Sequence, residues 1–275
     1  MKNIFLTVDF SKKAYQAALY AAELAHFTGA RLILFHAYNH TDQPEDEDKS
    51  GYITPERKVQ EKLDAMARKI KSLTDISITR LLKPGNVVEE TLYVATKIKA
   101  DLIILGLKNS APKQFRKAGT AVNALLEKCT LPLLLLPPKA MFEPYKLVQL
   151  VTDVVNSEQP VTNLKFLTLL FSNFENVQLL SRKDLTAEAP STSKLDGLLS
   201  GPALVIPVLI PAENILSENL PDPFQLIVKT YTSVYSHKPE VELVERRKLA
   251  EHHLPVLLLP VSNQPDYFSG EAIAV

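Results

Sequence analysis

The sequence predicts an α/β fold with open, mainly parallel sheets, laid down twice along the chain. Three observations carry that prediction. Short aliphatic runs alternate with longer stretches of helical period, the order in which parallel strands and their crossover helices follow one another. The apolar runs are continuous rather than alternating, as strands covered on both faces require. The pattern also repeats: KNIFLTVD from Lys2 is echoed by KLVQLVTD from Lys146, and LPLLLLP from Leu131 by LPVLLLP from Leu254, in the same order.

Taken in order, residues 3–9 (NIFLTVD) read as a first buried strand. Ser11 then caps a helix whose apolar face includes Tyr15, Ala18, Leu19, Ala22 and Ala25, and Gly29 ends it. RLILFHAY, residues 31–38, is a second strand. The polar, acidic stretch 39–54 has no periodicity and reads as a surface loop. Pro55 opens a long charged helix to about residue 74, where its missing N–H costs nothing. A strand around 77–82 leads into the turn Lys83-Pro84-Gly85, followed by a helix with Val88, Leu92, Ala95 and Ile98 on one stripe. DLIILG, residues 101–106, is a fourth strand, and LPLLLLPP, 131–138, a fifth. Between them Val122, Leu125, Leu126 and Cys129 recur at helical spacing, which makes the only cysteine a core thiol.

Pro137, Pro138 and Pro144 bracket KAMFE, which reads as a linker. The expected domains are therefore 1–140 and 145–262, with a tail at 263–275. From the strand-end aspartate to the closing Leu-Pro, the second copy spans 101 residues against 122 in the first. Its acidic loop is missing, and its second helix shrinks to roughly TSKLDGLLS. An offset of 123 aligns the closing strands and sets Ile103 and Ile104 against Leu226 and Ile227.

Residues 106–120 hold two of eight glycines and four cations, Lys108, Lys113, Arg116 and Lys117, with no carboxylate. In open parallel sheets ligands sit beyond the carboxyl ends of the strands, where the strand order reverses. Asp9 and Gly106 both end strands and should lie side by side there. A helix opening near Gly119 and Thr120 would point free N–H groups and a positive dipole end at the same crevice, suiting a phosphate. Strand turns and ordinary helix caps use the same residue types, and the chain contains neither a Walker A motif nor G-x-G-x-x-G.

Asp9-Phe10-Ser11, then Gly106-x2-Asn109-x9-Gly119-Thr120, then LPLLLLP resembles the universal stress protein family over most of 1–138 and more weakly over 145–260. The resemblance implies two tandem Rossmann-like domains of the adenine nucleotide alpha hydrolase-like kind, each a five-stranded sheet with helices on both faces. It also implies ATP, with magnesium, as a ligand of the first domain. Thr7, Val8 and Asp9 match positions near adenine and ribose, and Ala37 a position flanking the base. Gly106, Asn109, Gly119 and Thr120 match positions around ribose and phosphates. Asn109 stands where the family's second glycine belongs, Thr7 where it usually has proline, and Pro112 removes one loop N–H.

Under the offset of 123, Lys229, Thr232, Glu242 and Leu243 replace Gly106, Asn109, Gly119 and Thr120, so no nucleotide site is expected in the second copy. Each copy closes with an aliphatic strand that needs covering. The resemblance implies that residues 131–136 and 254–259 join the two sheets within one chain; a homo-oligomer stays open.

Thirty-one Lys plus Arg against 31 Asp plus Glu removes the broad attraction that nucleic acid or an anionic membrane requires. No run approaches the roughly 18 apolar residues of a membrane span, and the expected location is cytoplasmic. His36 and His40 fall on a strand end and a loop, a poor metal pair, while His252 and His253 suit a helix C-terminus. No nucleophile has an orienting base, so no catalytic residue is assigned and slow ATP hydrolysis lacks a visible metal or base. Two readings stand: a stress-response protein binding ATP or a related adenine nucleotide, and a nucleotide-free pseudo-dimer that binds a partner or small ligand and keeps a relict pocket.

Overall fold

The computed structural model of the chain describes residues 1–38, 55–107, 124–125, 128–151, 164–173, 178–181, 204–207, 226–232 and 254–261. Its strands are β1 (Asn3–Thr7), β2 (Arg31–Tyr38), β3 (Ile78–Pro84), β4 (Leu102–Gly106), β5 (Leu133–Leu136), β6 (Leu147–Val151), β7 (Gln178–Ser181), β8 (Leu204–Pro207), β9 (Leu226–Thr232) and β10 (Val256–Val261). Helices α1 (Lys12–Thr28), α2 (Pro55–Lys71), α3 (Val87–Lys97) and α4 (Leu164–Phe171) lie between them.

Two five-stranded sheets joined through their closing strands were expected, and the strands form one ten-stranded sheet in the order β3-β2-β1-β4-β5-β10-β9-β6-β7-β8, with β5 against β10. Neighbours run parallel except at β5·β10, where the direction reverses. Read outward from that seam, 5-4-1-2-3 on one side becomes 10-9-6-7-8 on the other. Each of the two closing strands would otherwise present unpaired N–H and C=O groups, and each covers the other.

The pairing corrects the sequence offset by one residue. Ile4 lies against Leu102 and Phe5 against Ile103, while Val148 lies against Leu226 and Gln149 against Ile227. The Ile103 N–H donates to Pro132 O at 2.9 Å, and the Ile227 N–H donates to Pro255 O at 3.0 Å. Ile103 therefore corresponds to Ile227, an offset of 124, and Gly106 to Thr230 rather than Lys229. The faces agree: Ile103 and Ile227 share one core cluster, Leu102 and Leu226 the other. A slip of one residue would have exchanged them.

Other boundaries move as well: β5 is Leu133–Leu136 rather than 131–138, and α2 ends at Lys71. β1 stops at Thr7, not Asp9, because Asp9 already belongs to the turn into α1. β3 continues through Lys83 and Pro84, which pair with Ala37 and Tyr38. A proline is tolerated there because it is the last residue of an edge strand.

Alternating strand residues feed two layers. Ile4, Leu6, Leu32, Leu34, Leu102 and Ile104 pack with α1, α2 and α4. Phe5, Ile33, Phe35, Ile103 and Leu105 pack with Ala95 of α3 and with Leu125 and Cys129. Cys129 is buried, and burial pushes its thiol up to about 11. Ser11 accepts the Ala14 N–H as the N-cap of α1, and Gly29 ends the helix at φ 66°. Tyr15 and Leu19, placed on the apolar face by period, are only half-buried, whereas Tyr20 is buried completely.

The cause is the segment read as a linker. Phe142 stands 5.4 Å from Tyr20 and 5.2 Å from Phe27, ring centre to ring centre, and Tyr145 stands 5.9 Å from Phe171 of α4. Tyr20 and Tyr145 share a buried hydroxyl hydrogen bond of 3.0 Å. Asn173 donates to Phe27 O at 2.9 Å. The connecting segment is thus an aromatic wedge between α1 and α4, with Met141 the exposed large apolar residue within it, at 83%.

Candidate functional site

The strand order reverses between β1 and β4: the chain leaves β1 toward β2 and β3, then crosses back to β4 on the other side. At such a point two crossover helices leave on opposite sides of the sheet and open a crevice beyond the strand ends. Thr7 pairs with Leu105 and with Phe35. One residue further on lie Val8 and Gly106, with the exposed Asp9 beyond them and Ala37 on β2. The expected neighbourhood of Thr7, Val8, Asp9, Ala37 and Gly106 is present at one edge. Asn109, Gly119 and Thr120 lie outside the described residues, as do Lys108, Pro112, Lys113, Arg116 and Lys117.

Gly106 has a role that its sequence context did not show. It is not among the glycines at positive φ, so the backbone does not require it. A Cβ built there would come 3.1 Å from Ala17 Cβ on α1. The missing side chain lets α1 lie close on β4, the packing use of a glycine in helix-on-strand contacts.

Val8 and Ala37 are 5% and 7% exposed and their side chains enter opposite core layers. Val8 also commits its backbone: its N–H donates to Phe35 O at 2.9 Å, and its carbonyl accepts from His36 Nδ1 at 2.6 Å. Because a carbonyl can only accept, Nδ1 carries the proton, which fixes the tautomer of neutral His36. Among the described residues of this edge, Asp9 therefore brings the carboxylate. One of its carboxylate oxygens, Oδ1, accepts the Ser11 N–H at 3.1 Å, and Ser11 Oγ in turn accepts the Ala14 N–H at 3.1 Å.

Between Asp9 and Ser11, Phe10 sits at φ 60°. That left-handed conformation costs a bulky residue about 1–2 kcal/mol. Its ring lies 4.6 Å from the His36 ring, with Lys62 Nζ 6.0 Å from its centre. An aromatic contact of this kind returns about 0.5–1.5 kcal/mol, comparable to the strain. Sequence reasoning considered His36 only as half of a metal pair with His40, which lies outside the described residues. The available signal was Phe10 between an aspartate and an N-cap serine, where a turn into a helix favours positive φ.

No group of three or more His, Cys, Asp or Glu that could hold a metal occurs among the described residues. None of their helices is long and apolar enough to cross a membrane. Of the second copy's substitutes, Lys229 and Thr232 are on β9, while Glu242 and Leu243 lie outside the described residues, as do Asp153, His252 and His253.

These features define the class: a doubly wound α/β protein whose strand order reverses between β1 and β4. Residues 1–137 match the model described as the universal stress protein family. No curated protein matches the chain. Among solved structures, a universal stress protein from Archaeoglobus fulgidus DSM 4304 is 12% identical, with 94% of this chain and 98% of that chain covered and a TM-score of 0.66. A functionally unknown protein from Pseudomonas aeruginosa PAO1 is also 12% identical, covering 94% of this chain and 92% of its own at a TM-score of 0.56. At these identities the likeness shows the fold alone. A universal stress protein in complex with cAMP is 18% identical, with 50% of this chain and 97% of that chain covered and a TM-score of 0.41.

Proposed function

We propose that the chain is a tandem stress-response protein whose first copy, residues 1–140, binds ATP or a related adenine nucleotide with magnesium. The observation that carries this reading is the β1/β4 reversal, which sets Val8 level with Gly106 and Asp9 just beyond them, inside a segment that matches the universal stress protein family model. Asp9 would accept hydrogen bonds from ribose hydroxyls, and residues 106–120 would receive the phosphates. Residues 145–262 would be the second copy, without a nucleotide site, its task being to pair with the first through β10. The repeated strand order supports this, as does the likeness of fold across 94% of the chain. Nucleotide occupancy would change a surface seen by a partner; no catalytic step is assigned.

The second reading is a nucleotide-free pseudo-dimer with a relict pocket. One observation favours it: Gly106 is accounted for by Ala17, and Val8 has already committed its N–H and its carbonyl. Thermal melts with millimolar ATP and magnesium separate the two. Stabilisation of the wild type that disappears in Gly119→Glu, which places a carboxylate beside the phosphates, supports binding. A wild type that does not shift supports the relict pocket.

A further inference from the structure

We propose that His36 and Phe10 form a clamp that aims Asp9, making both of them positioning residues for ligand recognition; this rests on the nucleotide reading above. A single residue of β2 holds both neighbours of Asp9. On one side, His36 Nδ1 donates to the Val8 carbonyl at 2.6 Å. On the other, the His36 ring carries the ring of Phe10 at 4.6 Å, tilted by 43°. The Val8 N–H donates to Phe35 O, which fixes the peptide before Val8, while the His36 bond holds the peptide that leads into Asp9.

The chain then has to turn into α1 within two residues. The turn closes only because Phe10 adopts φ 60°, which brings the Ser11 N–H to Asp9 Oδ1 at 3.1 Å. A strained aromatic next to the carboxylate of the edge calls for something that keeps it there, and the His36 stack is that restraint. Phe10 also packs on the core layer beneath α1 and α2, so its ring is fixed from two sides. With both flanking backbone units fixed, the Asp9 carboxylate has a restricted set of directions, as recognition of a ribose diol would need.

The test uses the full chain and three substitutions. Phe10→Gly keeps the left-handed turn and removes the ring. His36→Phe keeps a ring and removes the donor; His36→Asn keeps a donor near Nδ1 and removes the ring. Calorimetry compares ATP with 2′-deoxy-ATP, amide exchange follows the Ser11 N–H without ligand, and thermal melts report stability. The wild type should prefer ATP. Phe10→Gly and His36→Phe should each reduce that preference about tenfold, the weight of one lost hydrogen bond to a charged group, and speed Ser11 exchange about tenfold, with melting points kept. His36→Asn should fall between. Equal binding of both nucleotides by the wild type, or an unchanged preference in both variants, overturns the clamp. A wild type that binds neither nucleotide defeats the nucleotide reading instead. Ser11 exchange then decides the clamp alone: acceleration supports it, and no change overturns it.

Discussion

Leu134 and Leu257 lie opposite each other across the antiparallel seam, and each is the other's counterpart. The pairs on either side exchange in the same way: Leu133 faces Leu258, and Leu135 faces Val256. Pro132 and Pro255 accept equivalent bonds from Ile103 and Ile227, which fixes the correspondence. A local two-fold axis therefore passes between Leu134 and Leu257, and the seam has the self-complementary geometry of a symmetric dimer interface inside one chain.

Because the two leucines share one environment, Leu134→Ala and Leu257→Ala should cost the same. Each is buried to 1% or less, so the expected loss is about 2–5 kcal/mol, with the two values within about 1 kcal/mol of each other. Urea titration of both variants checks this. A large difference would mean that the halves contribute unequally to the seam.

The Tyr20–Tyr145 bond makes a second, independent connection to α1. Tyr145→Phe should cost about 1–3 kcal/mol, because the buried Tyr20 hydroxyl loses that partner. Removing both hydroxyls should cost less than the two single changes added together. A double-mutant cycle that finds plain additivity would remove the coupling.

The same pair predicts alkaline sensitivity. Burial raises both hydroxyls above the ordinary tyrosine value, Tyr20 with a further push from Tyr145. The folded form then holds protons that the unfolded chain releases. Stability from this source is complete below pH 10 and falls as pH rises through the raised values, by up to about 1.4 kcal/mol per pH unit for each group. Chemical denaturation between pH 9 and 11.5 should show a shallower decline in Tyr20→Phe/Tyr145→Phe than in the wild type.

Gly106→Ala should destabilise by about 1–3 kcal/mol whether or not a nucleotide is present, since the added methyl meets Ala17 Cβ at 3.1 Å. Pairing it with Ala17→Gly should recover part of the loss, less the roughly 1 kcal/mol a helical glycine costs. If Gly106→Ala melts like the wild type, the packing role is wrong.

Cys129 should resist alkylation at pH 8. With its thiol pushed up to about 11, the thiolate fraction there is on the order of 0.1%, and the group is buried as well. Reaction should appear only at denaturant concentrations that unfold the chain, followed by mass spectrometry.

Much of the fold was legible because it depends on period and punctuation. Ser11 and Gly29 bound α1 as their chemistry demands, and the continuous runs at Ile33 and Ile103 identify strands covered on both faces. Of the candidate site, the sequence made legible that the ends of β1 and β4 are neighbours at a reversal of strand order, though β1 ends two residues before Asp9. The reason for Gly106 was not legible: it depends on Ala17, 89 positions away, and no local pattern reports such an approach.

By itself, then, the sequence determined the alternation of strands and helices, the echo of the first strand in the sixth, and the burial of Cys129. Each follows from side-chain period or from a repeated string. Tertiary structure alone decided that the closing strands meet antiparallel with Leu134 opposite Leu257, that Gly106 corresponds to Thr230, that Phe142 and Tyr145 wedge against α1, and that His36 holds both neighbours of Asp9. Those are relations between distant segments. Their energies come from contacts across the core, which no stretch of chain carries alone.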